Sequence, residues 1–166
     1  MTQLQALIQN FEVAHQYTRT ILESVPSGDW FRMPNEGVSH IGWQVGHIAW
    51  AQQMLVTRRL VGEDPAVLEP FPETLIKTVG KGSTPEENPS LYGTPESLMD
   101  LHERVYMGCR TLIDRLEDSA LSDPVSPPHP MFQDKAGVLR WAADHELTHT
   151  GQISLIRRLL GHAPLR

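Results

Sequence analysis

Two histidines, His145 and His149, stand four residues apart in the stretch WAADHELTHTGQISLIRRLLG. An α-helix completes a turn in about 3.6 residues, so side chains at positions i and i+4 project from one face, where two imidazoles can approach the same ion. Imidazole nitrogens are common ligands of divalent transition metals. The spacing therefore predicts part of a metal site on a C-terminal helix.

The same residues spell H-E-x-x-H, the two-histidine helix of zinc proteases, in which the glutamate acts as general base on metal-bound water. The metzincin form of that motif places a glycine and a histidine three and six residues beyond the second histidine, where this chain has Gln152 and Leu155. We therefore set the protease aside. Glu146 lies about 80° from the mean direction of the two histidines. It is a candidate catalytic base, or else an exposed or outer carboxylate.

A third ligand is predicted on an upstream helix, where His47 shares an apolar face with Trp43 and Trp50. Helical bundles build metal sites from side chains that project inward from facing helices, and three neutral imidazoles leave positions open for water or substrate. A hydrogen-bonded core histidine is the alternative for His47. We predict a divalent ion, such as zinc, nickel, copper or iron, held by His47, His145 and His149.

Other side chains near this predicted site have two interpretations each. Gln152 points in the direction of the ligands, and it either supports one of them by a hydrogen bond or is a satisfied polar core residue. The tryptophans either line a substrate cavity or pack in the core; they are Trp43, Trp50 and Trp141. His40 lies at a helix cap. The histidines without a partner one turn away are predicted at the surface or core rim, and these are His15, His102, His129 and His162.

The helices that must position these residues follow from apolar periodicity of three to four residues. It predicts helices over about 2–25, from a cap at Ser39 to about 61, over 95–117 and over 135–160. Two proline-rich connections separate the last three predicted helices. The first of them, residues 62–93, is long, and a loop of this length serves a functional site or joins helices that are not antiparallel neighbours. We therefore predict an all-α four-helix bundle with long crossovers, as one domain over 1–166.

Two glycines, Gly42 and Gly46, lie inside the second predicted helix. Each costs roughly 1 kcal/mol relative to alanine in a helix interior. Their presence predicts a close approach of another backbone or of a ligand at that face.

Composition excludes several classes of function. Twenty acidic and fourteen basic residues give a net charge of −6, which has the wrong sign for binding a nucleic-acid backbone. Cys109 is the single cysteine of the chain, so an internal disulfide is excluded, and no apolar run is long enough to span a membrane. We expect a cytoplasmic protein with a small-molecule substrate and neither a nucleic-acid nor a membrane partner.

The segments VGHIAWAQQMLV and HELTHTGQISLIRRLLG together resemble the DinB-like superfamily of metal-binding four-helix bundles. On that pattern His47, His145 and His149 match the metal triad. The resemblance implies an up-down-down-up bundle and frequent homodimers. It also implies transfer or isomerisation reactions with low-molecular-weight thiols such as bacillithiol or mycothiol, in which the metal activates the thiol as a thiolate.

Two classes of function follow. As an enzyme, the protein would be a metal-dependent transferase or isomerase that uses a thiol, or a hydrolase that activates water. As a non-enzyme, it would be a metal-stabilised binding or structural bundle. A fourth protein ligand that closes the site would favour the structural class.

Overall fold

The computed structural model describes residues 1–61 and 69–165. The helices are α1 Gln3–Leu22, α2 Ile41–Gln52, α3 Arg58–Val61, α4 Glu73–Val79, α5 Pro95–Ile113 and α6 Lys135–Leu159, and the strands are β1 Pro124–His129 and β2 Phe132–Asp134. A π-helical stretch, Gln53–Thr57, joins α2 directly to α3. The protein is therefore mostly helical, with a small two-stranded sheet.

The antiparallel hairpin of β1 and β2 is a feature that the sequence pattern did not predict. Its first strand lies in the second proline cluster, which we expected to form an irregular connection. Proline cannot donate to a strand ladder, but each strand of a two-stranded sheet has one open edge, where the missing N–H costs nothing. The prolines are therefore compatible with β1.

The helix starts are fixed by side-chain caps. Thr2 and Thr94 each form a capping box, with Gln5 and Ser97 respectively. The cap of α2 differs from the prediction: His40, not Ser39, accepts the hydrogen bond from the Trp43 backbone N–H at 3.0 Å. A side-chain acceptor at the N-cap satisfies one of the otherwise unpaired N–H groups of the first turn.

The central element of the fold is α6. It packs against α1 on one side and against α2 on another, and α2 also packs against α5. Fully buried apolar side chains from these four helices form one core, including Phe11, Ile48, Leu98, Val138 and Ile153. Because α6 touches two other helices along its length, side chains on its different faces enter different environments.

The glycines of α2 do mark a close approach, and side chains rather than another backbone make it. A Cβ atom at Gly42 would stand 2.5 Å from Cε1 of Phe31, and one at Gly46 would stand 2.8 Å from Cγ1 of Val79. Both neighbours are side chains of segments that flank the helix. The missing Cβ at Gly46 lets α4 lie against α2 beside His47.

The predicted crossover over 62–93 is only partly within the described structure, since residues 62–68 lie outside it. The described remainder contains α4, which packs against α2. Within the described ranges, no helix is long and apolar enough to cross a membrane. The thiol of Cys109 is buried, and burial raises its pKa to about 12.

Candidate metal centre

The structure brings His47 on α2 together with His145 and His149 on α6. One ligand nitrogen from each lies within 4.8 Å of the others. The ring centroids are 4.4 Å apart for His145 and His149, 4.7 Å for His47 and His149, and 5.3 Å for His47 and His145. All three residues are half-buried. Three converging imidazoles at this separation can hold one metal ion.

Hydrogen bonds orient two of these rings. Nδ1 of His47 lies 2.6 Å from the carbonyl oxygen of Val79, and Nδ1 of His149 lies 2.5 Å from Oε1 of Gln44. Both partners are acceptors, so each Nδ1 carries the proton and each Nε2 keeps its lone pair for a metal. The ring of Trp43 stacks on that of His47 with centroids 4.8 Å apart and planes at 6°. These contacts preset the tautomer and the plane of the ligands.

Burial keeps the three imidazoles neutral. Burial, together with the smaller effect of the neighbouring histidines, lowers the pKa of His145 to about 4 and that of His149 to about 3. Burial also lowers the pKa of His47, against the opposing effect of the Val79 carbonyl. Metal binding requires the neutral ring. The site is therefore in its metal-binding protonation state at neutral pH.

Gln44 is a residue that the sequence analysis missed. Its Oε1 accepts from His149, while its Nε2 donates to Oε1 of Gln152 at 2.8 Å and also to the hydroxyl of Ser39. Gln152, the predicted supporting residue, thus lies one hydrogen bond further from the triad than Gln44. The available signal was position: Gln44 precedes His47 by three residues and so shares its helix face.

We predict that Gln44→Leu weakens zinc binding by about 10- to 100-fold, because it removes the acceptor that fixes the His149 tautomer. Leucine is close in size, so loss of packing is limited. Gln152→Leu should have a smaller effect, since it acts only through Gln44. Competition titrations against a chromophoric chelator measure both affinities. If the two variants lost zinc affinity equally, the prediction that Gln152 acts only through Gln44 would be contradicted.

Glu146, the candidate base, is fully buried and has neighbours other than the triad. Its Oε1 lies 3.0 Å from Nε2 of His102, and its Oε2 accepts from Nε2 of Gln52. Burial opposes its ionisation, but the hydrogen bond from His102 and the nearby imidazole of His15 outweigh burial and lower its pKa to about 2. The exposed-carboxylate alternative is therefore wrong. One residue step turns a helix by about 100°, which directs Glu146 away from His145 and toward α1 and α5.

The predicted positions of the other histidines are partly wrong. His15 and His102 are buried, at 4% and 2% exposure, because the apolar faces of α1 and α5 carry them inward. His40 is buried at its cap. His162 does lie at a rim, where its Nε2 is 2.6 Å from the carboxylate of Asp29. His129 lies in the β1 strand at the edge of a cavity.

This cavity, of about 410 Å³, adjoins the triad and opens to solvent. His47 and His145 form part of its wall. Its apolar lining includes Trp50, Trp141 and Met54, and its cationic lining is Arg59 and Lys81. Trp43 contributes instead by packing on His47 and by donating from Nε1 to the carbonyl of Thr78 at 3.0 Å. The tryptophans thus divide between cavity wall and ligand support.

Comparison with known proteins agrees with this architecture. A solved structure of a conserved protein of a locus from Enterococcus faecalis has a TM-score of 0.73 and 19% sequence identity, covering 98% of this chain and 99% of that one. At that identity the likeness concerns the fold alone. No curated protein matches the sequence. A family model described as the DinB superfamily matches residues 10–153. Because this match spans most of the chain, the protein belongs to the DinB superfamily.

Proposed function

We propose that this protein is a metal-dependent enzyme that activates a low-molecular-weight thiol for S-transfer or isomerisation at His47, His145 and His149. The observation that carries the proposal is the convergence of three neutral imidazoles, two of which, His47 and His145, lie in the wall of a solvent-open cavity of about 410 Å³. Activation of water against an ester is the second reaction that such a site supports.

The ligand set favours catalysis over a purely structural ion. Among the described residues, this group contains three histidines and no fourth ligand. Structural zinc sites are closed by four protein ligands, whereas catalytic sites keep a position open. When bound, a divalent ion lowers the pKa of a coordinated thiol or water and so supplies a nucleophile at neutral pH.

The cavity lining indicates the class of substrate. Trp50 and Trp141 present apolar surface, which binds hydrocarbon or aromatic parts and excludes water. Arg59 and Lys81 place positive charge in the same cavity. Nη1 of Arg59 is held by the carbonyl of Met54 at 2.7 Å, and its buried Nε has no partner in the described part of the chain. We propose a substrate or thiol that combines an apolar part with an anionic group.

The chain's own residues then have distinct roles. Val79 and Gln44 hold the ring nitrogens in the ligating tautomer, Trp43 fixes the plane of His47, and Arg59 orients the anionic end of the bound molecule. We propose no catalytic step for Glu146, because both of its oxygens are engaged by His102 and Gln52.

A panel of thiols tests the proposal. Zinc-loaded and metal-stripped protein would be incubated with bacillithiol, mycothiol, glutathione or cysteine and a generic electrophile such as monochlorobimane, and thioether formation would be followed by fluorescence. We expect turnover with at least one anionic thiol, dependent on metal and lost in His149→Ala. Hydrolysis of p-nitrophenyl esters by the metal form alone would identify the water reaction. No metal-dependent turnover in either assay would support the structural bundle.

We also expect Arg59→Leu to raise KM for the active anionic thiol roughly tenfold or more, since one lost charge-assisted hydrogen bond is worth about 1.5–3 kcal/mol. Arg58→Leu is the matched control, because Arg58 is exposed and does not line the cavity. Steady-state kinetics of the two variants give the comparison. An equal KM in both would show that Arg59 does not contact the substrate.

The helix topology, the oligomeric state and the cellular location of the protein are also proposals. We propose that the four long helices form the up-down-down-up bundle of the superfamily, that the protein forms homodimers, and that it acts in the cytoplasm. Size-exclusion chromatography with light scattering measures the oligomeric state.

A further inference from the structure

A second group of ligating side chains lies in the core, apart from the triad. His15 on α1, His102 on α5 and Glu146 on α6 place one ligand atom each within 4.8 Å of one another. Their exposed fractions are 4%, 2% and 0%. Buried charges and imidazoles cost free energy unless each finds a partner. The contacts between these three side chains therefore show whether each buried group has a partner.

The distances between the ligand atoms of this cluster are compatible with a bound metal ion as well as with a shared proton. Oε1 of Glu146 lies 3.0 Å from Nε2 of His102 and 3.7 Å from Nδ1 of His15. Ligands at about 2.1 Å from a tetrahedral ion stand roughly 3.4 Å apart, which falls between these two values. Small adjustments of the side chains would equalise the distances around an ion.

Two buried polar atoms at the cluster are unsatisfied. Within the described chain, Nδ1 of His15 and Oε1 of Gln52 have no hydrogen-bond partner. Nε2 of His15 lies 3.1 Å from a carboxylate oxygen of Glu103. An imidazole that donates from Nε2 has a lone pair on Nδ1. In that tautomer the lone pair on Nδ1 of His15 faces the Glu146 carboxylate. Two electron-rich groups then lie opposite each other, and a cation between them would relieve their repulsion.

The cluster is preorganised and reachable. The ring of His15 stacks on Tyr106 with centroids 3.6 Å apart and planes at 3°, which fixes the direction of its Nδ1. His102 also lines a separate cavity of about 340 Å³, together with Asp100 and Glu103. The two carboxylates outnumber the single cation of this lining, Arg19, so the net negative charge favours entry of a cation toward His102.

We propose that His15, His102 and Glu146 form a second divalent metal site, independent of the triad and of the function proposed for it. Two imidazoles and one carboxylate suit zinc, iron(II), cobalt(II) or manganese(II). Oε1 of Gln52 is a neighbouring oxygen that can join them. The two sites share no ligand, although Glu146 follows His145 directly in the chain. They therefore lie on different faces of α6.

The test counts cobalt and zinc in the full chain after chelator stripping, by titration followed by elemental analysis of the gel-filtered protein. We expect two equivalents in the unmodified protein and one in His47→Ala/His145→Ala/His149→Ala. Adding Glu146→Gln to that triple variant should remove the remaining equivalent. Glu12→Gln is the matched control, because it changes a carboxylate of α1 that pairs with Arg110 at 3.2 Å and is no part of the cluster, and it should leave the count at two.

Circular dichroism would show whether Glu146→Gln folds. If it does not, His15→Phe, which keeps the aromatic stack on Tyr106, takes its place in the triple-variant background and should likewise reduce the count from one to zero. A triple variant that binds no metal would overturn the proposal and leave a hydrogen-bonded cluster. So would a remaining equivalent that survives the Glu146 or His15 substitution. Thiol turnover does not enter these counts, so failure of the proposed function is measured separately.

Discussion

His149→Ala is expected to weaken metal binding at the triad by more than about a hundredfold, because loss of a ligand exceeds the 10- to 100-fold cost of losing an outer hydrogen bond. The two remaining histidines, His47 and His145, have ring centroids 5.3 Å apart and would hold an ion only weakly. Isothermal titration with zinc, under competition, gives the affinity of this site.

His162→Ala is the control for His149→Ala, since it also removes one histidine, but at the rim beside Asp29. It should leave zinc affinity at the triad unchanged. Metal-free His149→Ala should stay folded by circular dichroism, because the apolar core of the four long helices does not include the ring. Zinc affinity at this site equal in the two variants would show that His149 is not a ligand.

The free energy of unfolding of the metal-free protein is expected to fall as the pH drops from about 6.5 toward 4. The pKa of His145 is lowered to about 4 and that of His149 to about 3 in the folded state. The unfolded chain binds protons at these residues near pH 6.5, before the folded protein does, so acid favours unfolding over this interval. One pK unit corresponds to about 1.4 kcal/mol; discounted for half-buried rings, we expect a loss on the order of 2–3 kcal/mol.

Urea unfolding at several pH values between 7 and 4.5 measures this loss. The double variant His145→Asn/His149→Asn has no titrating ring at these positions, so its profile should be flatter. His40, whose pKa is lowered by burial, contributes equally to both proteins. Glu146 acts in another interval: its pKa is lowered to about 2, so its contribution is present above about 4.5 and is lost only below that pH. Parallel profiles for the two proteins would refute the histidine assignment.

The sequence by itself determined the features that depend on local spacing. The pair His145 and His149 lies one helical turn apart, and His47 lies on an apolar helix face, so each was placed on an inward surface before any fold was known. The predicted starts of the four long helices lie within two residues of the observed starts. The ion itself and the chemistry at the triad stay predictions until the experiments above are done.

Only the tertiary structure decided which faces meet. Gln44 supports His149 across 105 positions of sequence, and Glu146 meets His102 across 44, and neither pairing has a local signal. The apparent H-E-x-x-H motif was misleading for the same reason. Periodicity predicts the face of α6 on which Glu146 lies, but it does not predict which helix packs against that face. α1 packs against α6 and α5 packs against α2, and this arrangement brings the buried His15 and His102 to Glu146. The carboxylate is therefore part of a second cluster rather than of the first.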